Sequence, residues 1–352
     1  MCKLGAALVA AVLAWSAPVV RAMNIVITPD AGLAANPAAL AAFNRAAAAW
    51  SSQFTNNITI NISAGLSNNF VRPNIIGSTS SVKLQAGFDF FRGKLQASAA
   101  KEVDDGIVAY LPDLAHFNAT LPTGITLSGN FIATKANFKA LGYMDLINLD
   151  QIYGATDSTI TFNSNFSFDY DSSNGVDANK IDFQSVAMHE LGHALGFISS
   201  VDTVDGLKQA GTGGSLSITP LDLFRFQDNV AGKDPTTAID VTNDPRFLDT
   251  GGNAIFDDLT FELATSTGVY TGDTREASHW KDDQFSGRLL GVMDPSITAG
   301  ISESLSYYDI HALDLIGYDH VPEPSLLGVS MIVAPLAYRP TQRRGRRRNA
   351  RA

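Results

Sequence analysis

Between Val186 and Phe197 the chain reads Val-Ala-Met-His-Glu-Leu-Gly-His-Ala-Leu-Gly-Phe, and no other stretch constrains the molecule as much. In a helix, residues four apart lie one above the other, so His189 and His193 can present both imidazoles to one metal ion. Glu190 sits one residue round, beside the ion rather than on it. From there its carboxylate can take a proton from a water that the metal has made acidic. The spacing describes a hydrolytic zinc site. The bland alternative is an ordinary core helix that happens to carry two histidines.

The chain has 352 residues, 45% hydrophobic and 17% charged, so it can bury a large core as a globular body. Residues 1–22 read as a secretory signal peptide: Lys3, a largely apolar run from Leu4 to Val20, and a small-residue cleavage site at Val20-Arg21-Ala22. The single cysteine, Cys2, would leave with that signal. The exported body then has no thiol for a disulfide or a thiolate ligand.

Basic residues are concentrated at the two ends. Residues 23–320 hold 16 Lys and Arg against 34 Asp and Glu, a formal charge of −18. Such a body repels nucleic acid, which excludes it as a partner. Seven further arginines belong to a tail, residues 321–352, in which Val321-Pro322-Glu323-Pro324-Ser325 precedes an apolar run from Leu326 to Tyr338 and a cluster from Arg343 to Arg351. The run is short for a membrane span. Its order resembles the PEP-CTERM sorting signals of Gram-negative bacteria. The resemblance implies transient membrane contact, removal by an exosortase-type enzyme, and delivery to the cell surface, the extracellular matrix or the medium. A retained anchor with its arginines on the inner side is the alternative.

Within the body, Ile25-Val26-Ile27 is extended and Asn36-Pro37 looks like a helix cap followed by proline at the first helical position. Leu40, Phe43, Ala47, Trp50 and Phe54 form one apolar stripe, which predicts a helix over 37–54 packed on a sheet. Ile58, Ile60 and Ile62 alternate with polar residues and predict a strand. Between 64 and 135 only Gly106 to Leu111 reads as a short strand, and no chemistry is assigned there. Ile160, Phe162, Phe166, Phe168 and Tyr170 predict a half-buried strand, either a candidate edge for an extended peptide or a strand that merely covers the core. Asp169, Asp171, Asn174, Asp177 and Asp182 then crowd a loop, making calcium a second candidate cofactor, although Asp182 also suits the cap of the histidine helix.

A zinc that keeps one position open for water needs three protein ligands, and the helix supplies two. In the extended pattern HExxHxxGxxH, Gly196 turns the chain and a third histidine follows; here that position is Ser199, a poor ligand. Asp202 is close but three residues late. The other histidines are His116, His279, His311 and His320.

His279 lies in Ala277-Ser278-His279-Trp280, ahead of Gly291-Val292-Met293-Asp294-Pro295. The HExxHxxGF helix, the distant Ser-His-Trp and the Val-Met-x-Pro bend together resemble leishmanolysin-type metzincins, in which an insert separates the second and third ligands. That resemblance, over about residues 155–320, implies an α+β metzincin-like fold: a mixed sheet, an active-site helix, a β-rich insert at about 202–278, and a C-terminal subdomain carrying a methionine turn. It implies His189, His193 and His279 as zinc ligands, Glu190 as the catalytic base, and Met293 and Gly196 as supporting residues. Asp202 stays open as the third ligand. The many cysteines of leishmanolysins are missing, so their disulfides and any cysteine-based latency do not carry over.

Within the insert, Leu221, Leu223, Phe224 and Phe226 form an apolar knot. Thr250-Gly251-Gly252-Asn253 reads as a hairpin turn between Phe247-Leu248 and Ala254-Ile255-Phe256. Tyr307 to Gly317 reads as a closing helix with a structural His311. The expectation is a secreted or surface zinc endopeptidase acting on proteins or peptides. From another class, a catalytically silent surface or matrix binding protein on the same scaffold fits the export and sorting signals equally well.

Overall fold

The computed structural model describes residues 23–70 and 72–321. The expected signal peptide, and the sorting tail apart from Val321, lie outside them. The architecture is α+β, with several separate sheets. Among the described residues no helix is long and apolar enough to cross a membrane.

The principal sheet runs in the order Asn24–Pro29, Thr59–Ser67, Ser158–Asn163, Gly77–Ser81. The first three strands are parallel and the last is antiparallel to its neighbour. Pro37–Ser51 is the expected helix: the Asn36 side chain accepts the Ala39 N–H at 3.1 Å, and Pro37 opens the first turn. Phe43 of this helix meets Phe162 of the sheet edge-on, with ring centroids 5.2 Å apart. The histidine helix, Phe183–Leu195, lies beside it. Phe183 packs on Phe162 at 4.5 Å, and Trp50 Nε1 donates to the Met188 carbonyl at 2.8 Å. Ile60, Ile62, Ala64, Ile160 and Phe162 are all buried, so an aliphatic and aromatic sheet face anchors the helix that matters most.

Four expectations from periodicity are corrected. Gly106–Tyr110 is a 3-10 helix, not a strand. It lies against helix Phe88–Ala99, whose Arg92 and Gln96 donate to the carbonyls of Leu111 and Val108. The alternation from Ile160 to Tyr170 does not form one strand: pairing stops at Asn163, and Phe168–Asp169 pairs separately with Ile181–Asp182. Nor is it an edge, because Ser158–Asn163 has partners on both sides; the edges are Gly77–Ser81 and Asn24–Pro29. Phe247 and Ala254 are not joined in a hairpin, since Arg246–Phe247 pairs with Ala119–Thr120 while Ala254–Asp257 pairs with Arg225–Gln227 and Glu262–Ala264.

The segment expected as an insert, about 202–278, begins within a helix, Val201–Ala210, before its short strands. Its strand Gly214–Ile218 joins Ile125–Thr134 in a second sheet, so the segment shares a sheet with the first half of the chain. Leu221, Leu223, Phe224 and Phe226 are buried there. The closing helix is Tyr307–Asp314, and buried His311 pairs with Asp258 at 2.6 Å.

Candidate metal centre

Asp182 caps the histidine helix by accepting the N–H groups of Gln184 and Ser185, and Gly196 ends it with φ 131°, which a side chain would strain. One helical turn apart on its surface, His189 and His193 bring their Nε2 atoms to 3.1 Å. The Nε2 of His279, arriving from the far side of the expected insert, is 3.1 Å from each of them. Each ring is pinned from behind by a main-chain carbonyl: His189 Nδ1 by Val292 at 2.8 Å, His193 Nδ1 by Phe197 at 2.8 Å, and His279 Nδ1 by Glu276 at 3.0 Å. A carbonyl can only accept, so all three protons sit on Nδ1 and the three Nε2 lone pairs converge. Burial, and then the neighbouring imidazole, push each ring down to about 3, so all are neutral near pH 7.

Three converging lone pairs suit a soft-to-borderline cation. Zinc bonds of about 2.0–2.1 Å in tetrahedral geometry need nitrogens about 3.3 Å apart, close to the spacing here. The three-imidazole set therefore fits zinc and leaves one side facing a cleft of about 650 Å³. Asp202 is not part of the triad. Its carboxylate accepts the Ala277 N–H at 2.6 Å and a hydrogen bond from the Ser278 hydroxyl, holding the segment that delivers His279. Ser199 hydrogen-bonds to Asp222. His116 is exposed against Asp113, and His311 and His320 also lie outside the triad.

Glu190 is buried next to the triad. Its Oε2 accepts the Thr79 hydroxyl at 2.6 Å, from one edge strand of the sheet. Burial pushes its carboxyl up to about 7, against the Thr79 hydrogen bond and with a smaller contribution from the charge of Glu276. A side chain at Gly77 on the same strand would overlap Glu190 Oε1, so the glycine makes room for the carboxylate.

Met293 is fully buried, and a methyl group at Gly192 would overlap its sulfur. The methionine thus packs directly under the helix between the two histidines. Asp309 holds this bend. Fully buried at the start of the closing helix, it accepts from Trp280 Nε1 at 2.8 Å, Val292 N at 2.8 Å, Met293 N at 3.3 Å and Ser306 N at 2.8 Å. One carboxylate therefore ties together the residue after His279, the bend below His189 and the last helix. Sequence reasoning missed Thr79, Gly77 and Asp309. Only Asp309 left a trace, as the acidic member of the Ser306-Tyr307-Tyr308-Asp309 capping box.

The acidic loop is a different matter. Asp169 accepts the N–H groups of Asp171 and Asp177, and Asp171 accepts that of Ser173. Asp169, Asp171, Asp177 and Asp182 form no three-residue metal group among the described residues. These oxygens are engaged in building turns. No protein-family model, curated protein or solved structure matches the chain.

Proposed function

We propose that the chain is a zinc-dependent endopeptidase of the leishmanolysin-like metzincin kind, exported and sorted to the surface or surroundings of a Gram-negative cell. His189, His193 and His279 would hold the zinc, and the convergence of their three Nε2 atoms beside Glu190 carries the reading. When bound, zinc would acidify a water and polarise a carbonyl.

The chain's own residues do the rest. Gly77–Ser81 hydrogen-bonds to the sheet along one side only, and Gly77, Ser78 and Thr79 line the cleft. An extended substrate can add there as a further strand, with the scissile carbonyl brought to the triad. Glu190, aimed by Thr79, removes the proton from the attacking water and returns it to the leaving nitrogen. Pro295, Ser296 and Ile297 wall the cleft beyond Met293, where the side chain after the cut would lie. A binding scaffold without turnover has no need of an oriented base at this place, which favours the enzyme over the silent alternative.

Casein digestion by zinc-loaded protein tests the proposal. Glu190→Ala should keep its zinc and lose about 10²–10⁴-fold in rate. Undiminished hydrolysis by that variant would refute the role of Glu190, and no hydrolysis by the wild type would favour the binding protein.

A further inference from the structure

Several buried acids elsewhere in this molecule either meet a cation, as Asp157 does at Lys135 and Lys139 and Asp258 at His311, or accept from several N–H and O–H donors, as Asp222 and Asp309 do. One group does neither. Glu102, Asp105 and Asp314 each bring a carboxylate oxygen to within 4.8 Å of the others, where the turn after helix Phe88–Ala99 meets the end of the closing helix. None of the ion pairs among the described residues includes them.

Asp105 is only 4% exposed and Asp314 only 1%. Asp105 Oδ1 and Asp314 Oδ2 are both enclosed, with no hydrogen-bond partner. Asp105 precedes the 3-10 turn Gly106–Tyr110, where an aspartate normally caps, yet its side chain makes no capping bond. Asp314 is the last residue of its helix, where the carbonyl ends already concentrate negative charge. Burying such groups together is costly unless something positive lies between them. Burial, then the charge of Asp104, pushes Asp105 up to about 7 against the pull of His311, and burial, then the charges of Asp105 and Glu102, pushes Asp314 up to about 9.

We propose that Glu102, Asp105 and Asp314, with exposed Asp104 at the rim, form a second metal site that takes calcium. A set of carboxylate oxygens is what a hard cation with six to eight oxygen ligands selects. Asp104 and Asp314 also form a group with His320, whose imidazole suits zinc better, so selectivity between the two ions is part of the test. Two other acidic groups are weaker candidates because more of their oxygens are engaged, whereas here Asp314 Oδ1 accepts the His320 N–H at 3.0 Å and Asp314 Oδ2 and Asp105 Oδ1 accept nothing. Asp282 pairs with Arg275 and Asp294 accepts two N–H groups, while Asp257 accepts that of Leu259. A calcium ion here would clamp residues 100–105 to the helix whose first turn carries Asp309. The site would act on stability and not on the chemistry of the cleft.

The test is calorimetric titration of the zinc-loaded full chain with CaCl₂, followed by thermal unfolding with and without it. One site should half-saturate between about 10⁻⁶ and 10⁻³ M, and a hundredfold excess over Kd should raise Tm by roughly 5 °C. Asp105→Asn/Asp314→Asn should abolish both effects, and its calcium-free Tm should equal or exceed that of the calcium-free wild type, because the repulsion is gone. Asp104→Asn, a surface change that leaves folding intact, should weaken calcium binding severalfold. No calcium binding by the wild type at about 10 mM would overturn the proposal. So would binding undiminished in both variants, or a second zinc held there more tightly than calcium.

Discussion

The two halves of the candidate centre are built in opposite ways. His189 and His193 belong to one helix, and their relation follows from the rise of that helix. His279 comes from 86 residues after His193 and is placed by hydrogen bonds through Asp202 and Asp309. The first half needs only that the helix form. The second needs two aspartates that touch no ligand position themselves. The difference teaches where such a site is fragile: the contiguous motif is robust, and the residues that fail it first lie outside the motif.

Asp309→Ala should break the second half most severely. It leaves the buried donors of Trp280, Val292 and Met293 without their acceptor, each costing about 1–3 kcal/mol. Thermal unfolding should show one of the largest losses of stability in the molecule, and zinc affinity should fall with it; a near-native Tm would show that the bend does not depend on Asp309. Gly192→Ala attacks the first half through its contact with the second, because the new methyl group meets the Met293 sulfur. It should cost about 1–3 kcal/mol, and Gly192→Ala/Met293→Ala should cost clearly less than the sum of the two single substitutions. Simple additivity of the two substitutions would mean that they do not press on each other. Thr79→Val is the mildest. It should leave zinc content and Tm nearly unchanged while lowering kcat on casein by about tenfold, since only the aim of Glu190 is lost. A change in KM alone would place Thr79 in substrate binding.

What was legible divides along the same line. His189, Glu190, His193 and the turn at Gly196 are local, set by a period of 3.6 and by a backbone angle that glycine tolerates. The helix at Pro37–Ser51 was legible for the same reason. The Gly77–Ser81 strand was not: Gly-Ser-Thr-Ser-Ser is polar on both faces and shows no alternation, so nothing marked it as the cleft edge. The Ile160–Tyr170 alternation was misleading because a turn after Asn163 redirects Phe168 to a different partner strand. Asp202 looked like a ligand by type and proximity, and only its hydrogen bonds to Ala277 and Ser278 reveal a supporting role.

The central claim is that three imidazoles, two from a helix and one from far downstream, hold a single metal beside Glu190. X-ray absorption at the zinc edge, on protein carrying one equivalent of zinc, tests this most directly. The account predicts three imidazole nitrogens and one further oxygen at about 2.0–2.1 Å. A shell with two imidazoles and a carboxylate, or one containing sulfur, would contradict it.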